Sequence, residues 1–371
     1  MLRKESESLT QLALQKFKRN FWGVSSFWFI VAAAFVAIFA YVLAPDNSAH
    51  ANQMHLSIHS KSPGFTVEML RIPGKVKPRS SWFHRLFLGR KNAPDEIPIT
   101  GYHFTKDSLI ITPYHGKDIQ GIKQSFALKN NFPEQLSQKD IAKNYIVLRK
   151  FWLGTDKYGR DFLSRMLIGI RISLSIGFVA VLISLIIGIA LGAIAGYYGG
   201  KIDQIIMWLI NVTWSIPTLL LVIAMTLALG KGFWQVFIAV GLTMWVEVAR
   251  VVRGQVKSVK EMQYVTAARS LGYRNYRIIT KHILPNVMAP VIVISAANFA
   301  SAILVESGLS FLGIGAQPPM PSWGSMIKEH YNYIILGKPY LAIIPGLGIM
   351  SLVLAFMLMG NAMRDALDVK N

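Results

Sequence analysis

The segment EMQYVTAARSLGYRNYRIITKHILP, residues 261–285, is a charged, helix-prone stretch that lies between long apolar runs. In its first half, small and apolar residues recur three, four and seven positions apart. An α-helix places residues at that spacing on one face. We therefore predict a short helix whose apolar face another protein surface could approach closely, formed by Tyr264, Ala267, Ala268 and Leu271.

Two residues divide this segment into a helix, a turn and a second helix. Gly272 follows the predicted apolar face, and glycine readily adopts the left-handed conformation that commonly follows a helix. Pro285 is expected to limit the second helix, because proline lacks the amide hydrogen that a helix interior requires.

The chain has 371 residues, of which 53% are hydrophobic, and its mean hydropathy is +0.40, which is typical of a membrane protein. A helix that crosses the hydrocarbon layer needs roughly 20 apolar residues. We predict an all-α membrane protein with six transmembrane helices. They cover approximately residues 27–43, 172–195, 205–229, 233–252, 290–312 and 340–363.

The distribution of lysine and arginine gives the orientation. The first apolar run is long for a signal peptide and lacks a small-residue cleavage site, so it is interpreted as a membrane anchor. Basic residues are frequent in the amino-terminal tail and in the loop after the fourth span, which lie on one side if there are six spans. The positive-inside rule makes that side the cytoplasm, so both termini are expected there.

Composition divides the chain into three parts. Residues 1–44 form a tail and the first span, residues 45–160 a long polar insert, and residues 161–371 a five-span core with a cytoplasmic loop at 254–285. The insert contains the runs FTVEML, EIPITGYHF and SLIITPY between turn-forming residues, which favours short β-strands. A large extracytoplasmic, β-containing insert between the first two spans is therefore predicted.

Several kinds of chemistry find no support in the sequence. The net charge of +20 is spread over membrane flanks and the insert rather than along a basic stripe, which argues against nucleic-acid binding. Histidines 55, 59, 103 and 115 have no acid or cysteine at a recognised metal-ligand spacing, and there is no cysteine. Since no phosphate-binding loop is present either, we expect no catalytic residue, metal or cofactor in this chain.

The loop resembles a known family at specific positions. Two alanines, a glycine four residues after the second, and Leu-Pro twelve residues further on are similar to the cytoplasmic "EAA" loop of permease subunits in ATP-binding-cassette (ABC) importers. The matching positions are Tyr264, Ala267, Ala268, Gly272, Leu284 and Pro285. One position departs from that signature: Thr266 stands where the family has a glutamate, and the nearest acid is Glu261.

Three further motifs resemble the dipeptide and oligopeptide branch of these permeases, in particular its second permease subunit. The first has the form GTDxxGRD and comprises Gly154, Thr155, Asp156, Gly159, Arg160 and Asp161. The others are WxxxARxVRGQ at residues 245–255 and SFLGIGAQPPMPSWG at residues 310–324. The resemblance covers roughly residues 150–371 and does not extend to the insert.

The resemblance implies a fold, a function and a set of partners. It implies the type I importer fold in a bacterial cytoplasmic membrane. This chain would form half of a pore for small peptides, with a second permease subunit completing the pore as a heterodimer. The other implied partners are an extracytoplasmic solute-binding protein and two separate ATPase subunits, which would hold ATP and magnesium. The coupling residues would be Glu261, Tyr264, Ala267, Ala268, Leu271, Gly272, Leu284 and Pro285.

Other residues are candidates for the translocation path or its gate. Glu306 lies inside the fifth span, where a carboxylate needs a partner or water, and it could face the path or bond to a hydroxyl such as that of Ser307. Glu247 is expected to form an ion pair with Arg250, one helical turn away. The remaining candidates interrupt a span or follow the fifth one, and they are Pro217, Gly313, Gly315, Pro318 and Pro319.

Three alternatives remain open from the sequence. The same machinery could import nickel or another peptide-like solute. An ion-driven secondary transporter would need inverted repeats and several buried ionisable groups, which are not evident. A membrane-embedded enzyme would need a paired catalytic constellation that the spans lack.

Overall fold

The structure is a computed structural model that describes residues 9–73, 81–90, 94–116, 121–133, 136–230 and 232–368. The chain forms two compact units, each assembled from separate stretches of sequence. Unit 1 comprises residues 1–34, 173–317 and 346–371, and unit 2 comprises residues 35–172 and 318–345. The predicted division into tail, insert and core follows composition and stays a prediction.

Long apolar helices dominate the chain, as the hydropathy predicts. Within the described residues, five helices are long and apolar enough to cross a membrane, and a bent pair brings the number to six if it counts as one span. The amino-terminal helices are α1 (Leu9–Arg19), α2 (Phe21–Ile38) and α3 (Ala40–Leu43). The next long helices are α7 (Phe162–Tyr198), the bent pair α8 (Gly200–Ser215) and α9 (Thr218–Leu229), and α10 (Phe233–Lys260).

The carboxy-terminal half continues this arrangement. It contains α11 (Gln263–Ser270), α12 (Asn275–Arg277), α13 (Leu284–Leu312), α14 (Trp323–His330) and α15 (Tyr340–Leu367). The helix of the first predicted span, residues 27–43, is interrupted at Phe39, just before α3.

Pro217 breaks the third span, as predicted. Helices α8 and α9 meet at an angle of 95°. Ile216 and Pro217 both have extended ψ angles, 127° and 126°, since the proline ring disfavours the helical conformation of the residue before it. Helix α8 therefore ends at Ser215 and α9 begins at Thr218, both within the predicted third span.

Pro285, in contrast, does not end a helix, and that prediction was wrong. The chain is helical without a gap from Asn275 to Leu312. A π-helical turn at Ile278–Ile283 directly precedes Pro285. Proline clashes with the carbonyl four residues earlier in a regular α-helix, but the wider turn separates the two groups, and proline is well tolerated in the first turn of α13.

A stripe of glycines brings α7 against α10 in unit 1. Gly188, Gly192 and Gly196 recur every four residues on α7 and so lie on one face. A Cβ atom at Gly192 would lie 2.5 Å from the Ala249 carbonyl oxygen, and one at Gly188 would lie 2.5 Å from the Val248 Cβ. The two backbones thus approach as closely as small residues allow in membrane helix pairs.

A five-stranded antiparallel sheet forms the centre of unit 2, with strand order β4-β3-β2-β1-β5. The runs FTVEML, EIPITGYHF and SLIITPY lie in and directly beside the first three strands. The strands are β1 (Phe65–Ile72), β2 (Asp95–Phe104), β3 (Ser108–Pro113), β4 (Gln124–Ala127) and β5 (Ile146–Phe151). The short helices α4 (Trp82–Leu88), α5 (Leu128–Asn131) and α6 (Gln138–Tyr145) lie between strands, and α6 packs beside a core that includes Leu70, Ile99 and Leu109.

The glycine stripe leads to a stability prediction. Gly192→Ala should lower the free energy of unfolding by about 1–3 kcal/mol, because its methyl group meets backbone that cannot move aside. The matched control is Gly308→Ala in α13, where an added Cβ meets no atom within 4 Å. Thermal unfolding in detergent measures both variants. Equal stability of the two would show that the α7–α10 approach is looser than described.

Candidate coupling surface and buried polar clusters

Helix α11 is attached to the rest of unit 1 by one of its faces. Val265 and Ala268 are buried in an apolar cluster with Val256 of α10 and Ile278 and Ile283 of the π-helical turn. The prediction that Ala268 belongs to the exposed docking face was therefore wrong. Ala268 lies on the Val265 side of the helix, where side chains of α10 and of the π-helical turn cover it.

The remaining surface of α11 is open. Tyr264, Ala267 and Leu271 are exposed, and Leu271 has 72% of its surface free. Met262, just before the helix, and Tyr276, in α12, are exposed as well, and Tyr276 has 79% of its surface free. The sequence analysis missed both residues because neither falls on the alanine–glycine spacing. A tyrosine between Arg274 and Arg277 was the signal available in the sequence for Tyr276.

Gly272 sets the turn after α11. Its φ angle is +76°, and its amide donates to the Arg269 carbonyl at 3.0 Å. A Cβ at this position would meet no atom within 4 Å, so the requirement for glycine comes from backbone conformation rather than from space. Glu261 caps the end of α10 and is exposed. Leu284 packs against the apolar cluster, whereas Pro285 is exposed.

Polar side chains fix the ends of the neighbouring helices. Asp203 in the first turn of α8 accepts hydrogen bonds from Arg253 Nη2 at 2.7 Å and from Lys257 Nζ at 2.8 Å, both on α10. Tyr197, at the end of α7, donates to Asn275 Oδ1 at 2.8 Å. Helices α7, α8, α10 and α12 are therefore connected beside α11.

The surface around α11 is strongly basic. Arg277 stacks over the Tyr273 ring at 4.4 Å, and Arg269 lies 5.8 Å from the centre of the Tyr197 ring. These aromatic contacts hold guanidinium groups close to the exposed patch. We define the coupling surface by its exposed apolar residues Met262, Tyr264, Ala267, Leu271 and Tyr276.

Glu306 is fully buried in α13. Its Oε1 atom accepts a hydrogen bond of 2.6 Å from the Ser310 hydroxyl, which itself accepts from the Ala316 amide at 3.1 Å. The hydroxyl partner is thus Ser310 rather than the predicted Ser307, which donates to the Ile303 carbonyl instead. The carboxylate is linked through one serine to the turn beyond the fifth span.

That turn depends on two of the predicted glycines. Gly313 is left-handed, with φ +84°, and the Gly315 amide donates to the Leu309 carbonyl at 3.0 Å. A Cβ at Gly315 would lie 2.6 Å from the Ser310 Cα. The structure therefore brings Glu306, Gly313 and Gly315 together, while their role in a gate stays a prediction.

Pro318 and Pro319 begin the part of the chain that belongs to unit 2, and a cis peptide bond joins them. The segment that follows packs tightly. The Trp323 indole donates to the Met166 carbonyl at 3.0 Å, and a Cβ at Gly169 would lie 2.6 Å from that ring. Pro217 lies elsewhere, at the α8–α9 break.

The GTDxxGRD motif folds into a compact loop in unit 2. Asp156 accepts from the Tyr158 amide at 2.8 Å and from the Arg160 amide at 2.9 Å. The Thr155 hydroxyl donates to the Ile58 carbonyl at 2.5 Å. Gly159 is left-handed and leaves no room for a Cβ beside the His55 carbonyl. The motif thereby fixes residues 55–61 beside the start of α7.

A buried ionic cluster lies next to this loop. Asp156, Glu329 and His330 place potential metal-ligand atoms within 4.8 Å of one another. However, Arg160 binds both carboxylates, at 2.5 Å to Asp156 and 2.9 Å to Glu329. His330 donates from Nδ1 to the Met326 carbonyl at 2.7 Å and accepts the Lys157 amide at Nε2 at 3.3 Å. Since every ligand group already has a protein partner, the cluster is an ion network.

Arg250 does not pair with Glu247, so that prediction was wrong. The guanidinium carbon of Arg250 lies 3.6 Å from the centre of the Trp214 ring, and Nη2 donates to Asn211 Oδ1 at 3.3 Å. Both partners lie on α8. Stacking on an indole attracts arginine strongly, and the sequence spacing on α10 could not reveal a partner on another helix.

Apolar helices long enough to cross a membrane, joined by a basic loop with exposed apolar side chains, are consistent with a membrane permease subunit. Residues 188–370 match the family of binding-protein-dependent transport system inner membrane components, and residues 8–63 match the N-terminal transmembrane domain of oligopeptide transport permease C. The chain belongs to this family of inner membrane permeases.

Its relatives include the glutathione transport system permease protein of Pectobacterium atrosepticum, 43% identical over 219 residues, which are 59% of this chain and 72% of the relative. The dipeptide transport system permease protein of Bacillus subtilis is 42% identical over 59% of this chain and 68% of its own length. A chain of the MetNI methionine ABC transporter has 17% identity and a TM-score of 0.44, covering 54% of this chain and 96% of its own.

The turn at Gly272 gives a prediction about local strain. Gly272→Ala should destabilise the protein by about 1–2 kcal/mol, because an L-residue with a side chain disfavours the left-handed conformation. Gly254→Ala in α10 is the control, since that glycine also has open space around it but lies in an ordinary helix. Thermal unfolding would contradict the prediction if both variants matched the wild type.

The buried His330 gives a pH prediction. Burial lowers the pKa of His330 below 6.5, and the nearby acids only partly oppose this shift. The unfolded chain therefore binds the proton more readily, and the free energy of unfolding should fall as the pH drops through about 6.5. Burial lowers the pKa of His50 and His55 in the same direction. His330→Gln should thus reduce, but not abolish, the loss of thermal stability on acidification.

The control for this pH series is His103→Gln, because His103 is exposed on β2. It should keep the wild-type dependence of stability on pH. If His330→Gln also kept that dependence, the buried histidine would not be the titrating group.

Proposed function

We propose that this chain is a permease subunit of an ATP-driven importer of small peptides and that the coupling surface is where a separate ATPase docks. The open apolar side of α11, held in a basic surrounding, is the observation that carries this proposal. The family membership supports the transport role. The names of the relatives, which refer to dipeptide and glutathione transport, support a peptide substrate.

The proposal includes the other components of such an importer. A second permease subunit completes the pore as a heterodimer in a type I fold, and two ATPase subunits hold ATP and magnesium. A solute-binding protein delivers the peptide on the outer side. The basic residues around α11 and in the amino-terminal tail support a cytoplasmic position for the α11 loop and for the tail. The insert follows the first span, so it would then lie on the outer side.

The packing of α11 suggests how force passes into the membrane. A movement of the ATPase would push on the exposed side of α11. Its buried side, Val265 and Ala268, lies in the same cluster as side chains of α10 and the π-helical turn that leads into α13. Close-packed side chains transmit displacement because they cannot be compressed. Helices α10 and α13 would therefore move together with α11.

Leu271→Asp tests the docking site. A carboxylate in the centre of an apolar contact should weaken ATPase binding by about 2 kcal/mol or more, which is roughly a thirtyfold loss of affinity. Copurification of the ATPase with the tagged permease, together with peptide-stimulated ATP hydrolysis, measures the effect. Membrane insertion should be unchanged, because Leu271 makes no part of the buried cluster.

The matched control is Leu56→Asp, which introduces the same charge at a leucine that is 67% exposed in unit 2. It should leave ATPase copurification intact. Normal copurification and stimulated hydrolysis in Leu271→Asp would refute docking at α11. A wild-type complex that hydrolyses ATP without importing any peptide would refute the proposed transport function.

A further inference from the structure

A cavity of about 300 Å³ lies in unit 1 at the break between α8 and α9. That volume is at the lower end of the range of small-molecule sites. Side chains from α8, α9, α10 and α13 contribute to its wall. The polar ones are Thr213, Thr218, Thr243, Glu247 and Ser301, and the others include Trp214, Leu221 and Leu304.

Glu247 is the charged group of this cavity. It is exposed on α10, inside the predicted span of residues 233–252, where an acidic side chain is costly unless it has a partner or a polar surrounding. No lysine or arginine contributes to the cavity wall. Among the described residues, no ion pair or hydrogen bond of the Glu247 carboxylate is found, since Arg250 is directed to Trp214 and Asn211.

The surrounding groups also favour a cation. Helix α8 ends at Ser215 beside the cavity, and the carboxy-terminal end of a helix carries partial negative charge. The Thr213 and Thr243 hydroxyls donate to carbonyls of their own helices at 2.9 Å and 2.8 Å, so their remaining lone pairs are available as acceptors. A carboxylate, a helix carboxy terminus and hydroxyl acceptors thus meet in one small space.

We propose that this cavity binds the α-ammonium group of the transported peptide, with Glu247 as its counter-ion. This inference rests on the proposed function and specifies which end of the substrate the permease itself contacts. An ammonium group has three donors, which match one carboxylate and neighbouring hydroxyl or carbonyl oxygens. A divalent metal would need more anionic ligands than the single carboxylate provides.

Direct peptide binding to the purified permease–ATPase complex tests the proposal without the selectivity of a solute-binding protein. Equilibrium dialysis would compare labelled dialanine with N-acetyl-dialanine, in which acetylation converts the ammonium group to a neutral amide. The wild type should bind dialanine at least about tenfold more tightly. Glu247→Gln should bind both peptides with the low affinity of the acetylated one, and Glu247→Asp should retain a preference for the free amine.

The control Asp365→Asn removes an exposed acid on α15, outside the cavity, and should behave as the wild type. The proposal would be overturned if Glu247→Gln kept the preference, if it weakened both peptides equally, as loss of a metal or proton site would, or if the wild type bound neither peptide. Copurification of Glu247→Gln with the ATPase and its thermal unfolding, measured on the same preparation, show whether the variant is folded.

ATP-driven uptake of dialanine into proteoliposomes, with the solute-binding protein added, separates this inference from the proposed function. Ammonium-selective binding without uptake would refute peptide import while supporting the cavity assignment. Uptake by a wild type that binds the two peptides equally would refute the cavity assignment alone.

Discussion

The close approach of α7 and α10 determines most of what unit 1 can do. Glycines on α7 let the two backbones touch, and α10 then carries side chains for three different tasks. The carboxy-terminal part of α10 binds Asp203 and packs against α11. Its middle presents Glu247 to the cavity beside α8 and α9. A bulky residue in the glycine stripe would displace all of these contacts together. The coupling surface and the cavity are therefore properties of one packed helix rather than independent sites.

The sequence was most informative where a single physical constraint acts. Hydrocarbon thickness fixes span length, so the apolar runs located the membrane helices, and the backbone limits of proline and glycine located the break at Pro217 and the turn at Gly272. Turn-forming residues between short runs also marked the first three strands of the sheet. Each of these features depends on residues that are neighbours in sequence.

The errors concern contacts between distant residues. Whether Ala268 is exposed depends on the side chains that α10 and the π-helical turn pack against it. Arg250 stacks on the Trp214 indole of α8 instead of pairing with Glu247, one helical turn away. Pro285 was accommodated because the preceding turn could widen. The GTDxxGRD motif was recognised from its letters, but its function in the loop, with Asp156 and Arg160 joined to Glu329, needed the fold. Tertiary packing decides such cases.

The order of the strands has a consequence for biogenesis. Strand β5 pairs with β1, so the last strand of the insert completes a sheet whose first strand emerged some eighty residues earlier. Unit 2 also needs residues 318–345, which contribute Glu329 to the buried ion network and Trp323 to the pocket at Gly169. During synthesis, unit 2 therefore stays partly assembled until α13 and residues 318–345 have been made.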